Sequence, residues 1–147
     1  MNDTRQLIPI AGLVATFAMA AYMVIQLSAQ TASPAGDFRN AAMAEVHNAQ
    51  GQPILRGQFA AVDEEDDDVE RKARLESSGT DADATGEAEI EFPRNDPARQ
   101  EIEFSVQKLE PGMALTFLID GQTIGQATVD RQGRAEIEIT ITGPASR

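Results

Sequence analysis

From Gly86 to Ile141 the side chains alternate between apolar and polar with a period of two, and no other feature constrains the fold as tightly. GEAEIEF sets Ala88, Ile90 and Phe92 on one face and Glu87, Glu89 and Glu91 on the other. QEIEFSVQ sets Ile102, Phe104 and Val106 against Glu101, Glu103, Ser105 and Gln107. After a Pro111-Gly112 turn, MALTFLI aligns Met113, Leu115, Phe117 and Ile119. Asp120-Gly121 is a tight-hairpin signal leading into QTIGQATV. A second turn, DRQG, feeds RAEIEITI, with Ala135, Ile137, Ile139 and Ile141 on the apolar face. A helix needs apolar residues every three or four positions, so this pattern fits only strands with one packed face and one wet face. Upstream, PILRGQFAAV reads as a further strand, with Gly57 as a bulge or close-approach point. The segments Gly86–Phe92 and Gly133–Ile139 look alike, but any half-buried strand after a turn can show that pattern. The expected fold is mainly β: one N-terminal transmembrane helix, then a small antiparallel β-sandwich or barrel-like domain of about five to six strands.

The helix is expected over residues 7–27, LIPIAGLVATFAMAAYMVIQL, which carries no Asp, Glu, Lys or Arg. Such a helix is about 31 Å long, matching a hydrocarbon core of roughly 30 Å. Pro9 falls in the first turn, where its missing N–H costs nothing. A cleaved secretory signal has a shorter apolar region and a small-x-small site. The flank LSAQTASPAG offers only weak cleavage sites, so an uncleaved anchor is the expectation and a cleaved signal the alternative. Arg5 precedes the segment and no basic residue follows until Arg39. The positive-inside tendency then leaves residues 1–6 cytoplasmic and exports the rest. For a bacterium this means a single-pass inner-membrane protein with a periplasmic C-terminal domain. Ala11, Gly12, Ala15 and Ala18 form a small-residue face suited to close helix packing in lipid, although small residues are common in any export segment.

Residues 28–52 read as a polar linker, with Asp37 to Val46 able to form a short helix. Residues 53–142 read as the exported β-domain and 143–147 as a tail. Within the domain, 63–85 is expected to be a disordered acidic loop with a helical turn near Val69–Leu75. Its core is the run Asp63, Glu64, Glu65, Asp66, Asp67 and Asp68.

Asp and Glu number 24 against 12 Lys and Arg, a net charge of −12. Such a surface repels nucleic acid and anionic lipid and favours cationic partners or plain solubility. With no cysteine, disulfides, thiolate catalysis and cysteine zinc sites are excluded. The single histidine, His47, rules out a multi-histidine metal site and reads as an exposed linker residue. Asp81, Asp83, Thr85 and Gly86 partly match a calcium loop, but its twelfth position would be Phe92, so a polar turn entering a strand is the reading. The strand glutamates at i, i+2 spacing read as solubility and edge protection, not as a desolvated acid–base pair. No catalytic, cofactor-binding or metal-ligating residue is expected.

Leu55 to Ile141 also resembles a bacterial exported β-module. The resemblance is carried by Leu55 and Gly57, Gly86–Glu91, Leu109 with Pro111-Gly112, Asp120–Asp130 and Gly133–Ile137. It implies an exported β-domain and no known activity, and it transfers no site residues.

The functional expectation is a membrane-anchored, non-catalytic β-domain that binds or supports a protein partner, with the acidic run Asp63–Asp68 steering it toward a basic surface. The alternatives are an accessory single-span subunit of a larger membrane complex, held through the Ala11/Gly12/Ala15/Ala18 face, and a calcium- or ligand-binding exported module. No nucleic-acid partner and no cofactor are expected.

Overall fold

The computed structural model describes residues 36–60, 68–79, 81–96 and 98–142. These form eight strands: β1 (Met43–Asn48), β2 (Pro53–Gln58), β3 (Asp68–Ser77), β4 (Thr85–Pro93), β5 (Arg99–Gln107), β6 (Ala114–Ile119), β7 (Gln122–Thr128) and β8 (Arg134–Thr142). All pairings are antiparallel, in the order β7-β6-β1-β2-β3-β4-β5-β8. The sheet curls into a nearly closed barrel with its seam between β7 and β8. At the seam, a Cβ on Gly125 of β7 would stand 3.0 Å and 3.1 Å from the terminal methyls of Ile137 and Ile139 on β8. Side chains rather than ladder hydrogen bonds therefore join the last two strands.

The six strands expected from the alternation are present, and two more join them. Met43–Asn48, expected within a partly helical linker, is β1, a central strand between β2 and β6. Only Ala44 and Val46 of β1 face the core, and Ala44 is small, so its periodicity is faint. Asp68–Ser77, expected to lie in a disordered loop with a helical turn, is β3, paired with β4 over nine residues. Its inward row is Val69, Arg71, Ala73 and Leu75, and the arginine interrupts the apolar alternation. The acidic positions Asp63–Asp67 lie outside the described residues, and Asp68 is described only as backbone paired with Pro93. The expected anchor, with Ala11, Gly12, Ala15 and Ala18, also lies outside them. Among the described residues, no helix is long and apolar enough to cross a membrane.

Eight strands enclose an interior just wide enough to be filled by side chains. Its centre is Phe104 of β5 against Phe117 of β6, with ring centroids 5.1 Å apart and planes tilted by 56°. Ile54, Leu55, Leu75, Ile90, Ile102, Leu115, Ile119 and Ile124 pack around them. The β5–β6 connection crosses the far end of the barrel, where Leu109 N–H donates to the Gly133 carbonyl (3.1 Å) and Gly112 N–H to the Val129 carbonyl (2.9 Å). This connection is thereby tied to both ends of the β7–β8 turn. Gly57 proves to be a close-approach point, since a Cβ there would drive into the Arg74 carbonyl of β3.

The opposite end is covered by residues 36–42, the stretch that leads into β1. Gln100, only 2% exposed, occupies an inward position at the start of β5. Its amide accepts from Phe38 N–H (2.8 Å) and donates to the Gly36 carbonyl (2.9 Å), holding the Phe38 ring in the barrel mouth. Asp120 and Gly121 both have positive φ, 49° and 78°, as a type I′ hairpin requires. The Asp120 carboxylate accepts the N–H groups of Ala42 (3.0 Å) and Met43 (2.8 Å). Arg71 adds a third tie, donating to the Arg39 carbonyl at 2.8 Å.

Candidate functional surface

Strands β4, β5 and β8 lie side by side, and their outward rows are glutamate-rich. Ladder register sets Glu89 opposite Glu103 and Glu103 opposite Glu138. The neighbouring rows are Glu87–Ser105–Glu136 and Glu91–Glu101–Thr140. Seven carboxylates thus share one face of three adjacent strands. Like charges placed directly opposite destabilise a sheet, so this register costs free energy. Cations border the face: Lys72 on β3 lies 3.5 Å from Glu89 and also pairs with Glu70, and Arg99 pairs with Glu101. At the centre, the Glu103 carboxyl is pushed above its ordinary value, first by partial desolvation and then by Glu136, Glu89, Glu138 and Glu87.

The sequence read these glutamates as solubility and edge protection. The structure places β4 and β5 in the interior of the sheet, where no edge needs guarding; only β8 is a terminal strand. What sequence reasoning missed is the alignment of the three strands. No local signal reports it, because β8 joins β5 across β6 and β7.

His47 is on β1 rather than in a linker, half-buried, with Thr116 of β6 beside it. Its Nε2 lies 3.6 Å from a Glu45 carboxylate oxygen, beyond hydrogen-bond range, and Arg56 approaches the other oxygen at 3.8 Å. Asp81 and Asp83 fall in the turn before β4, Thr85 and Gly86 are already in the strand, and Phe92 is buried. Among the described residues, no group of three or more His, Asp or Glu side chains is arranged to hold a metal ion.

One cleft opens at the barrel mouth, about 450 Å³ in volume. Arg39 and Asn40 line it from the crossing segment, Val69 and Arg71 from β3, and Phe92, Pro93 and Arg94 from the end of β4.

Comparison with protein-family models, with curated proteins and with solved structures returns no match. The functional reading therefore rests on this chain's own residues.

Proposed function

We propose that this chain is a membrane-anchored, non-catalytic β-domain that binds a basic protein partner on its β4-β5-β8 face. The anchor is read from residues 7–27, and the setting from the charge asymmetry around them: an inner membrane with the domain on the periplasmic side. The observation carrying the binding role is the Glu89–Glu103–Glu138 row. Solubility needs exposed charge but not like charge stacked in register, and a cationic surface laid on the row would relieve that repulsion. Complementary charge of this kind speeds and orients encounter more than it adds affinity. A second reading, an accessory subunit held within the bilayer, is favoured by the Ala11/Gly12/Ala15/Ala18 face.

The test uses the full chain purified from its native membrane in mild detergent. Resistance to alkaline extraction checks the anchor separately from binding. A triple variant, Glu89→Gln with Glu103→Gln and Glu138→Gln, should lose a co-purifying basic protein. A charge-matched control at Glu76, Asp83 and Glu110 should keep it. Equal loss in both variants would reduce the effect to net charge, and retention in the triple variant would remove this face as the interface. If association survives both variants but is lost when Ala11 and Ala15 are enlarged to Leu, the subunit reading replaces the first.

A further inference from the structure

The ladder that runs around the barrel is interrupted at one place, between β7 and β8. Those strands leave their connecting turn as a hairpin would. Asp130 N–H donates to the Arg134 carbonyl (2.7 Å), and the Asp130 carboxylate accepts from Arg134 N–H (2.9 Å). There the pairing stops. Backbone groups point to alternate sides along a strand, so Glu136, Glu138 and Thr140 turn their N–H and carbonyl groups toward the gap, as Arg134 does. Among the described residues β8 has no ladder on that side, although all nine of its residues pair with β5 on the other.

The gap also leaves apolar surface incompletely covered. Ile137 and Ile139, inward on β8, stay part-exposed, whereas their ladder partners Phe104 and Ile102 on β5 are fully buried. What joins the two strands there is the pair of isoleucine methyls beside Gly125. Parting β7 from β8 by one strand spacing, about 4.8 Å, breaks that side-chain contact and none of the described ladders.

The outer row of β8 decides what chemistry fits. Glu136 and Glu138 are exposed on it and end the rows Glu87–Ser105–Glu136 and Glu89–Glu103–Glu138. A strand laid along β8 would set its own outward side chains next in those rows, directly beside two carboxylates. Cations there relieve the repulsion within the rows. A second copy of β8 is repelled, which is how charged edge strands avoid pairing with themselves. Strand addition draws its affinity from main-chain hydrogen bonds and its specificity from alternate side chains.

We propose that the edge of β8 takes up an extended basic segment of the protein partner as an added strand. Its backbone pairs with Glu136, Glu138 and Thr140, its cationic side chains lie beside Glu136 and Glu138, and its apolar ones cover Ile137 and Ile139. This rests on the reading that the partner is a basic protein, and it adds how the partner's chain is held.

The test uses the full chain, uniformly ¹⁵N-labelled, in non-ionic detergent, with amide exchange as the readout. The probe is the capped peptide Lys-Val-Lys-Val-Lys-Val-Lys. At ten times its Kd, the Glu136, Glu138 and Thr140 amides should exchange about ten-fold more slowly than in the free chain. The Ile137 and Ile139 amides, which face β5, should be protected throughout. The same peptide methylated on every backbone nitrogen keeps its charge and side chains but cannot donate, and should bind at least about ten-fold more weakly. A Thr-Val peptide of equal length, lacking the cations, should weaken by a similar factor. Equal binding of the methylated peptide, or no slowing at the three amides, would overturn strand addition. Loss of the co-purifying partner in the Glu89, Glu103 and Glu138 triple variant would then still uphold the glutamate face. Equal binding of the Thr-Val peptide would overturn the choice of a basic occupant. Glu136, Glu138 and Thr140 amides as protected in the free chain as those of Ile137 and Ile139 would also overturn the proposal, by showing that the chain's own residues already fill the edge.

Discussion

Replacing Glu103 with glutamine should stabilise the barrel, because the side chain stands between two carboxylates. Glu89 and Glu138 flank it directly in the ladder, and Glu87 and Glu136 lie on the diagonals. A like-charged pair directly opposite costs about 0.2–1 kcal/mol. Glu103 and Glu138 are exposed and screened while Glu89 is half-buried, so the lower part of that range applies. Two such pairs then give a gain of about 0.5–1 kcal/mol, or roughly 2–6 °C in Tm for a domain of about 100 residues. Glutamine preserves the side-chain shape, so packing is not a confounder. The pH dependence fixes the mechanism. The Glu103 carboxyl is raised in the folded state, by partial desolvation first and its four glutamate neighbours next. A raised carboxyl contributes stability below its unfolded value, and that contribution is lost as pH rises through the folded value. The advantage of Glu103→Gln should therefore be full at neutral pH and vanish as pH falls below the ordinary carboxylate value of 4.5. Thermal melts of both proteins across that range, at low and high salt, measure it. An unchanged or lowered Tm at neutral pH and low salt would refute the reasoning, as would a gain indifferent to pH and salt.

Two further predictions concern the barrel's ends and its crossing strands. Gln100→Ala removes both partners of the 36–38 backbone and should cost about 1–3 kcal/mol; faster amide exchange at Phe38, with the β4–β5 ladder still protected, checks it. Gly57→Ala forces a methyl into the Arg74 carbonyl and should lower stability by about 2 kcal/mol or more, read by denaturant unfolding, whereas Gly51→Ala, in open space with φ of 75°, should cost about 1 kcal/mol from backbone conformation alone.

How much of this was legible in the sequence depends on how each residue acts. Where burial follows a strict period, as in Ala88-Ile90-Phe92 or Ile102-Phe104-Val106, the sequence reports strand and face together. The Asp120-Gly121 hairpin was equally readable, since its backbone demands residues that tolerate positive φ. β3 was hidden because an inward arginine replaces an apolar residue in its row, and the carbonyls that accommodate Arg71 come from residues 39 and 60, outside the strand itself. Gln100 gave no warning for the same reason: its partners are contributed by a segment more than sixty positions earlier. The glutamate rows were visible strand by strand. Their alignment depends on β8 returning to β5, which pairing alone decides.

The Gln100 and Asp120 bonds to the crossing segment carry a mechanical consequence. A pull on the chain ahead of Gly36 meets the Gln100 bonds at Gly36 and Phe38 first, then the Arg71 bond at Arg39 and the Asp120 bonds at Ala42 and Met43. The load enters at the start of β5, at the β6–β7 corner and, through the Arg39 carbonyl, at β3. Those points sit on separate strands around the ring, so the lead is held at three places before the load reaches the body of β1. A lead tied in this way passes its load to the mouth of the barrel rather than to the ladder of β1 alone.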